Sequence, residues 1–309
     1  MLPNILQISI FWIVQASALL VFAVPFRWAF IGLWAASHFL RAIGLTLIFH
    51  RYLAHRAFKM NRAARFAWAF IATAAMQKGP LWWAGHHVNH HKFADRDGDP
   101  HSPMVSGVYY AHIGWFLNDT KHDRVEATNP VIRDFSRVPE IAWLEKYFFL
   151  PPLFLAVALL LAGGMPWLVW GFCLPTMTLA HATFAINTVN HMFGSRRFET
   201  VDESRNNLLT AVFAVGVGAS SPRNCARVDG AGCAGAGVVV VVVALAFLTS
   251  CNLAIGNAWP LSSCRIASPF SVNCTLVTTP STLKSLPFPS FRVPLTYLPI
   301  NAAAEPNRC

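Results

Sequence analysis

The sequence predicts an all-α integral membrane protein with four transmembrane helices in two hairpins and a cytoplasmic, histidine-rich helical cap. Of its 309 residues, 55% are hydrophobic and only 12% are charged, which is unusual for a soluble domain. Long apolar runs also flank one extended polar region, and a spanning helix needs about 20 mostly apolar residues. The predicted spans are residues 5–26, 28–49, 147–162 and 167–186.

The first two spans form the first predicted hairpin. Pro25 and Arg27 end the first apolar run, which lacks the features of a cleavable signal peptide and is expected to remain as an anchor. The second run contains His38 and Arg41. Polar groups at that depth usually face the interior of a helix bundle, where they find partners.

The last two spans form the second predicted hairpin, with a break at Gly163, Gly164 and Pro166. Between the hairpins, residues 64–76 are amphipathic and are expected to lie in the membrane interface.

A group of basic residues follows the second span and predicts the orientation in the membrane. Cytoplasmic ends of spans are enriched in Lys and Arg, so this end, both termini and the histidine-rich region are expected on the cytoplasmic side. The net charge of +10 is therefore assigned to the membrane surface and not to nucleic-acid binding. The group comprises Arg51, Arg56, Lys59, Arg62 and Arg65.

The composition changes near residue 216, which divides the chain into a membrane domain (1–215) and an atypical tail (216–309). The tail contains six of the seven cysteines, in no metal-binding or disulfide pattern, and a run of six valines. It has no sustained helical or strand period, so we expect low order there.

Three groups of histidines are candidate metal ligands. His50 and His55 follow the second span, but five positions on an ideal α-helix turn about 140°, so this pair converges only if the helix ends or bends. The segment 86–91 contains four histidines, of which His87, His90 and His91 span an arc of about 100°. His86 points away from that face.

The third element is His191, at the end of the fourth span and on the same predicted membrane side. Imidazole ligands suit iron, zinc, copper or nickel. Zinc is satisfied by four ligands, whereas six or more histidines favour two ions, and iron in particular. Asp95, Asp97 and Asp99 are either acceptors that fix the imidazole tautomers or a solvated acidic turn.

Several ordered motifs resemble those of the membrane-bound fatty acyl-CoA desaturases, the stearoyl-CoA desaturase-like group with its bacterial relatives. The resemblance extends over residues 28–209. It rests on HRYLAH (50–55), WAGHHVNHHKFAD (83–95), DGDPHSP (97–103), HIGW (112–115) and TFAINTVNHMFGSRR (183–197).

The resemblance implies a centre of two iron ions that uses O2 to introduce a double bond into a fatty acyl chain. The substrate would be a fatty acyl-CoA or a lipid-linked acyl group, with electrons from a ferredoxin- or cytochrome-b5-type donor. Asn187 matches an asparagine that holds a metal-bound water, and Trp83 and Thr183 match residues at the bend of the acyl tunnel. The residues that match iron ligands are His50, His55, His87, His90, His91 and His191.

The sequence departs from this family after Gly218. Where the family continues into a last histidine box of the form HNxHH, this chain continues with ASSPRNC (219–225), and no histidine follows His191. The change resembles a shift of reading frame. It predicts a loss of three ligands and impaired catalysis.

Two other functions remain open from the residues. A membrane di-iron hydroxylase or ketolase uses similar histidine boxes to insert oxygen, and Asn187 in NTVNH favours the desaturase. A non-catalytic membrane metal-binding protein would keep the fold without oxygen chemistry, and the absent last box favours that alternative.

Overall fold

In the computed structural model, residues 5–117, 128–196 and 202–215 are described in full, together with the backbone of residues 4, 261–268 and 271–276. Over the first three of these ranges the regular elements are helical, so the all-α prediction is confirmed for the membrane domain. The α-helices are α1 (Asn4–Ser17), α2 (Trp28–Gly44), α3 (Arg62–Thr73), α4 (Pro80–Phe93), α5 (Pro103–Ser106), α6 (Trp115–Leu117), α7 (Pro130–Phe135), α8 (Pro139–Lys146), α9 (Leu150–Leu168), α10 (Leu174–Met192) and α11 (Leu208–Phe213). A 3-10 turn extends α1 (Ala18–Phe22), and π-helical segments continue α2 (Leu45–Ala54), precede α6 (Tyr110–Gly114) and link α9 to α10 (Val169–Cys173).

Among the described residues, three helical stretches are long and apolar enough to cross a membrane: Ile5–Phe22, Trp28–Ala54 and Leu150–Met192. The third is interrupted at the predicted break, where Gly163 and Gly164 have non-helical backbone angles and Gly164 has a φ of 68°. A methyl group built on Gly171 would lie 3.0 Å from the side chain of Leu159. In a straight helix those residues would be about 18 Å apart, so the chain reverses direction here. The count of four spans stays a prediction.

The polar residues of the second helix face the interior, as predicted. His38 places its ring nitrogens 3.0 Å from the Thr178 hydroxyl and 3.0 Å from the carbonyl oxygen of Phe213. Arg41 is only 2% exposed and donates to the carbonyl oxygens of Ser37 and Ala74. Hydrogen bonds from both residues therefore connect α2 to the segments that pack against it.

Helix α3 coincides with the amphipathic stretch and packs against α2. Its small residues Ala69 and Ala72 are fully buried, and a methyl group on Gly44 would lie 3.0 Å from the backbone nitrogen of Ala72. This close approach needs a residue without a side chain on α2. On the outer side, Arg65 forms an ion pair with Glu140 of α8.

Helix α4 carries most of the candidate ligands, and Glu145 of α8 fixes where it begins. The Glu145 carboxylate accepts hydrogen bonds from the backbone N–H groups of Leu81 (2.8 Å) and Trp82 (3.3 Å), while Pro80 occupies the first turn. Burial raises the pKa of Glu145 above its usual value. Farther along, the Asn129 amide donates to the Gly85 carbonyl oxygen, so α4 is held at two levels.

In the tail, β1 (Leu261–Ser268) and β2 (Ser271–Leu276) form an antiparallel hairpin. In its backbone register, Cys264 lies opposite Cys274. This hairpin is an element that the low-order prediction did not include. The rest of the tail, on which that prediction also falls, lies outside the described residues.

Candidate metal centre

A π-helical turn brings His50 and His55 together. The backbone N–H of His55 donates to the carbonyl oxygen of His50 at 3.0 Å, a hydrogen bond between residues five apart. Such a turn stacks positions that an α-helix would separate by about 140°. The two Nε2 atoms consequently lie 3.1 Å apart.

Two histidines of α4 complete a group of four imidazoles, named here the first histidine group: His50, His55, His87 and His91. The Nε2 atom of His87 lies 3.2 Å from that of His55 and 3.0 Å from that of His91. Ligand atoms of all four residues lie within 4.8 Å of one another. The spacing of His87 and His91 on one helix face produces this arrangement.

This donor set fits a transition-metal ion. Imidazole nitrogens bind such ions at about 2.1 Å, so two of them at right angles around one ion lie roughly 3 Å apart, as these do. Burial, together with the charges of neighbouring imidazoles, lowers the pKa of His87 well below 6.5. Burial also lowers the pKa of His91 to about 4. The rings are therefore neutral at pH 7, which is the form that binds metal.

A second histidine group lies beside the first and consists of His90, His101 and His191. The His90 ring lies 4.4 Å from the His101 ring and 5.5 Å from the His191 ring, measured between centroids. The His90 ring is also 5.7 Å from that of His91, so adjacent residues of α4 serve the two groups. His101 is buried, and its Nδ1 has no hydrogen-bond partner.

Carboxylates orient two members of the second group. His90 Nδ1 lies 2.9 Å from the Asp99 carboxylate, and His191 Nδ1 lies 2.8 Å from Asp95 Oδ2. A hydrogen bond at Nδ1 places the proton there and leaves the Nε2 lone pair available to a metal ion. Asp97 is exposed, so two of the three candidate acceptors take this role.

The turn that holds these carboxylates is strained and heavily bonded. Asp95 has a φ of 56°, which is unfavourable for a residue with a side chain. Its carboxylate also accepts from the Ser102 hydroxyl (2.6 Å) and the backbone N–H of Glu203 (2.8 Å). The bond to His191 and these other hydrogen bonds lower the pKa of Asp95, which keeps it ionised.

His101 is the candidate ligand that sequence reasoning missed. It lies in the DGDPHSP motif, and the only sequence signal was its position two residues after Asp99. His86 points away from the candidate ligands, as its position on the helix predicts: its Nδ1 lies 2.7 Å from the Trp82 carbonyl oxygen. Farther from both groups, His112 and His181 form a separate pair with ring nitrogens 3.0 Å apart.

The predicted tunnel residues are linked by a third side chain. Gln77 accepts a hydrogen bond from Trp83 Nε1 at 3.1 Å and donates to the Thr183 hydroxyl at 2.8 Å. The Trp83 ring is also stacked 5.3 Å from the His87 ring. Asn187 is half-buried on α10, four residues before His191.

A largely apolar cavity of about 330 Å³ has Gln77 in its lining. It is bounded by α1, α6, the start of α9 and one face of α10, including Phe11, Phe116 and Phe184. The cavity therefore borders Gln77, the side chain that links Trp83 to Thr183.

The sequence profile of the fatty acid desaturase family matches residues 25–218. The chain is 37% identical over 177 residues to a chloroplastic palmitoyl-monogalactosyldiacylglycerol delta-7 desaturase of Arabidopsis thaliana, covering 57% of this chain and 47% of that protein. It is 35% identical over 177 residues to an icosanoyl-CoA 5-desaturase of Limnanthes douglasii (57% and 49%) and 33% identical over 195 residues to an sn-1 stearoyl-lipid 9-desaturase of Anabaena variabilis (62% and 70%).

These matches, the membrane helices and the paired histidine groups together define the class: the chain belongs to the fatty acid desaturase family. It spans about half the length of the first two relatives. The match ends at residue 218, directly before Ala219.

Proposed function

We propose that this chain carries the site of a fatty acyl desaturase, which introduces a double bond into an acyl chain with O2 at a histidine-ligated di-iron centre. The observation that supports it best is the pair of neighbouring histidine groups, in which His90 and His91 of one helix serve different groups. Two ions bound in this way would supply O2 activation and removal of hydrogen from an unactivated C–H bond.

The residues divide the work of holding the two ions. The first histidine group supplies four nitrogens that already converge. In the second, Asp99 and Asp95 hold the rings of His90 and His191 so that Nε2 of each faces inward, and His101 supplies a third imidazole. Asn187, one helical turn before His191, is proposed as the polar residue that positions water beside this group.

The acyl chain is proposed to run past Trp83 and Thr183 into the apolar cavity. The hydrogen bonds through Gln77 join both side chains, and the Trp83 ring is stacked on His87, which supports a bend of the proposed tunnel at this point. Apolar walls exclude water from the reacting methylene groups. The relatives are named for lipid-linked and for CoA-linked acyl substrates. Both kinds of acyl carrier are therefore kept in the proposal.

The basic residues at the end of the second helix support a proposal for the orientation in the membrane and for the electron donor. We propose four spans, with the histidine groups on the cytoplasmic side, because Arg51, Arg56 and Lys59 lie beside the end of the second helix. A ferredoxin- or cytochrome-b5-type donor would deliver electrons at that face. No nucleic-acid partner is proposed.

Catalysis by this particular chain is proposed to be impaired. The first histidine group has four imidazoles, whereas the second has three, of which His101 lies outside the family-matched ligands. The missing HNxHH box would be expected to complete the second group. The profile match ends immediately before that position, which supports the proposal.

Product analysis tests the activity. The original chain and a version in which an HNxHH-containing segment of the family type replaces the residues from Ala219 onward would be expressed with defined fatty acids, and the lipids analysed by mass spectrometry. The repaired version is expected to give an alkene and the original little or none. His87→Ala in the repaired version is the inactive control.

An alcohol product would instead favour the hydroxylase. Iron binding without product in both versions would favour the non-catalytic metal-binding protein.

A further inference from the structure

One side chain that lines the apolar cavity carries a buried polar atom without a hydrogen-bond partner. Gln15 of α1 lines the cavity, is only 9% exposed, and its Oε1 has no hydrogen-bond partner. A buried amide oxygen without a partner is costly, and such groups in native structures usually face a ligand or water.

Arg41 lies directly behind the same part of the cavity wall. Its Nη1 donates to the Thr176 hydroxyl at 2.7 Å, and its guanidinium lies 5.8 Å from the Phe172 ring centroid; both residues line the cavity. Its Nη2 is buried and has no hydrogen-bond partner. The sequences of the three candidate membrane stretches contain no Asp or Glu that could pair with it.

Helix contacts show that Gln15 lies at the far end from the metal-binding groups. The Phe11 and Phe184 rings lie 6.5 Å apart, and Ser17 contacts Cys173 through a hydrogen bond, so α1 runs antiparallel to α10. Gln15 therefore lies near the level of Thr176. That level is 15 residues before His191, or about 22 Å along the helix.

We infer that Gln15, backed by Arg41, forms a polar end to the acyl cavity and thereby limits the length of acyl chain that the protein accepts. This inference rests on the proposed acyl-binding function. When a hydrocarbon tail ends before Gln15, water can still form hydrogen bonds with these polar atoms. A longer tail displaces that water and offers no hydrogen bond in its place. A tail with a terminal hydroxyl would satisfy Gln15.

Ligand displacement tests the inference without requiring catalysis. Radiolabelled hexadecanoic acid would be displaced from the detergent-purified full chain by fatty acids of graded length and by the matching ω-hydroxy fatty acids. Gln15→Met keeps the size of the side chain and removes the amide, whereas Gln15→Ala removes the bulk as well. Partitioning into the micelle is common to all variants, so affinities are compared between variants at each length.

In the original protein, we expect affinity to rise with chain length and then to fall by about 10-fold once the tail reaches Gln15. In Gln15→Met that fall should disappear, and the preference for ω-hydroxy acids at that length should disappear with it. If Gln15→Met keeps the fall and only Gln15→Ala removes it, the limit is set by bulk and the inference is overturned. Equal binding of plain and ω-hydroxy acids in the original protein would also overturn it.

The two proposals can fail separately. Absence of binding at every length would refute acyl binding and the length limit together. Binding with no break in the length profile would refute the length limit alone.

Discussion

The Asp95 carboxylate lies 2.8 Å from Nδ1 of His191, although the two residues are 96 positions apart in the sequence. The contact joins the end of α10 to the turn that follows α4. It fixes the ring of the one candidate ligand that comes from the last membrane segment.

Replacing Asp95 by Asn is expected to weaken the second metal ion while leaving the first in place. Loss of a carboxylate that orients a ligating histidine typically lowers metal affinity by about 10- to 100-fold. The check is a titration of the metal-free protein with ferrous iron under anaerobic conditions, resolved into a tight and a weak step. Asp97→Asn, at an exposed position of the same turn, is the matched control. Equal weakening of both steps would show that Asp95 supports the fold and not His191.

The neighbouring histidines His86 and His87 provide a second test. His87→Ala removes a nitrogen from the first histidine group and is expected to lower affinity for the tight ion by more than about 100-fold, because loss of a direct ligand exceeds the effect of an orienting residue. His86→Ala, which loses contacts to Trp82 and Trp115 and no member of the first histidine group, should retain the ion. Metal per chain after loading and desalting distinguishes the variants, and loss of the ion in both would contradict the assignment.

Acid is expected to destabilise the metal-free protein between pH 6.5 and about 4. Burial lowers the pKa of His91 from 6.5 to about 4 and lowers that of His87 well below 6.5. In this window the unfolded chain binds protons that the folded chain does not, so stability falls as the pH falls. The Asp95 carboxyl titrates below its ordinary 3.8 and contributes only at lower pH.

The measurement is the thermal midpoint of metal-free protein at pH 7.5 and pH 5. His91→Gln should reduce the difference, and metal-loaded protein should release its ion over the same range. Equal midpoints at both pH values would contradict the depressed pKa values.

Glu145→Ala is expected to destabilise the protein through α4. It leaves the backbone N–H groups of Leu81 and Trp82 without their acceptor, which costs about 1 to 3 kcal/mol for a buried donor. Thermal unfolding in detergent measures the effect, with exposed Asp97→Ala as the control. An unchanged midpoint would show that Glu145 does not anchor the helix.

Much of the fold could be predicted from local pattern. Hydropathy placed the apolar segments and the break at Gly163 and Gly164, and the cost of burying polar groups placed His38 and Arg41 in the interior. The spacing of four between His87 and His91 put both on one helix face. These features depend on residues that are close in sequence.

The rest depends on contacts that sequence periodicity does not encode. The π-helical turn that brings His50 to His55 replaces the ordinary hydrogen-bond pattern, and α-helical geometry alone left that pair apart. The helix geometry predicts that His87, His90 and His91 share one face. In the structure, His90 contacts the Asp99 carboxylate and belongs to the second group. His101 and Gln77 gained roles only through partners on other segments.

The most direct test of the account is the number of iron ions bound per chain after anaerobic loading, measured on the original protein and on the version with an HNxHH segment from Ala219 onward. Four imidazoles converge in the first histidine group, and we propose that the second lacks the family's last box, so we predict one tightly held ion in the original and two in the repaired version. Two tightly held ions in the original protein would contradict the claim that its second metal site is incomplete.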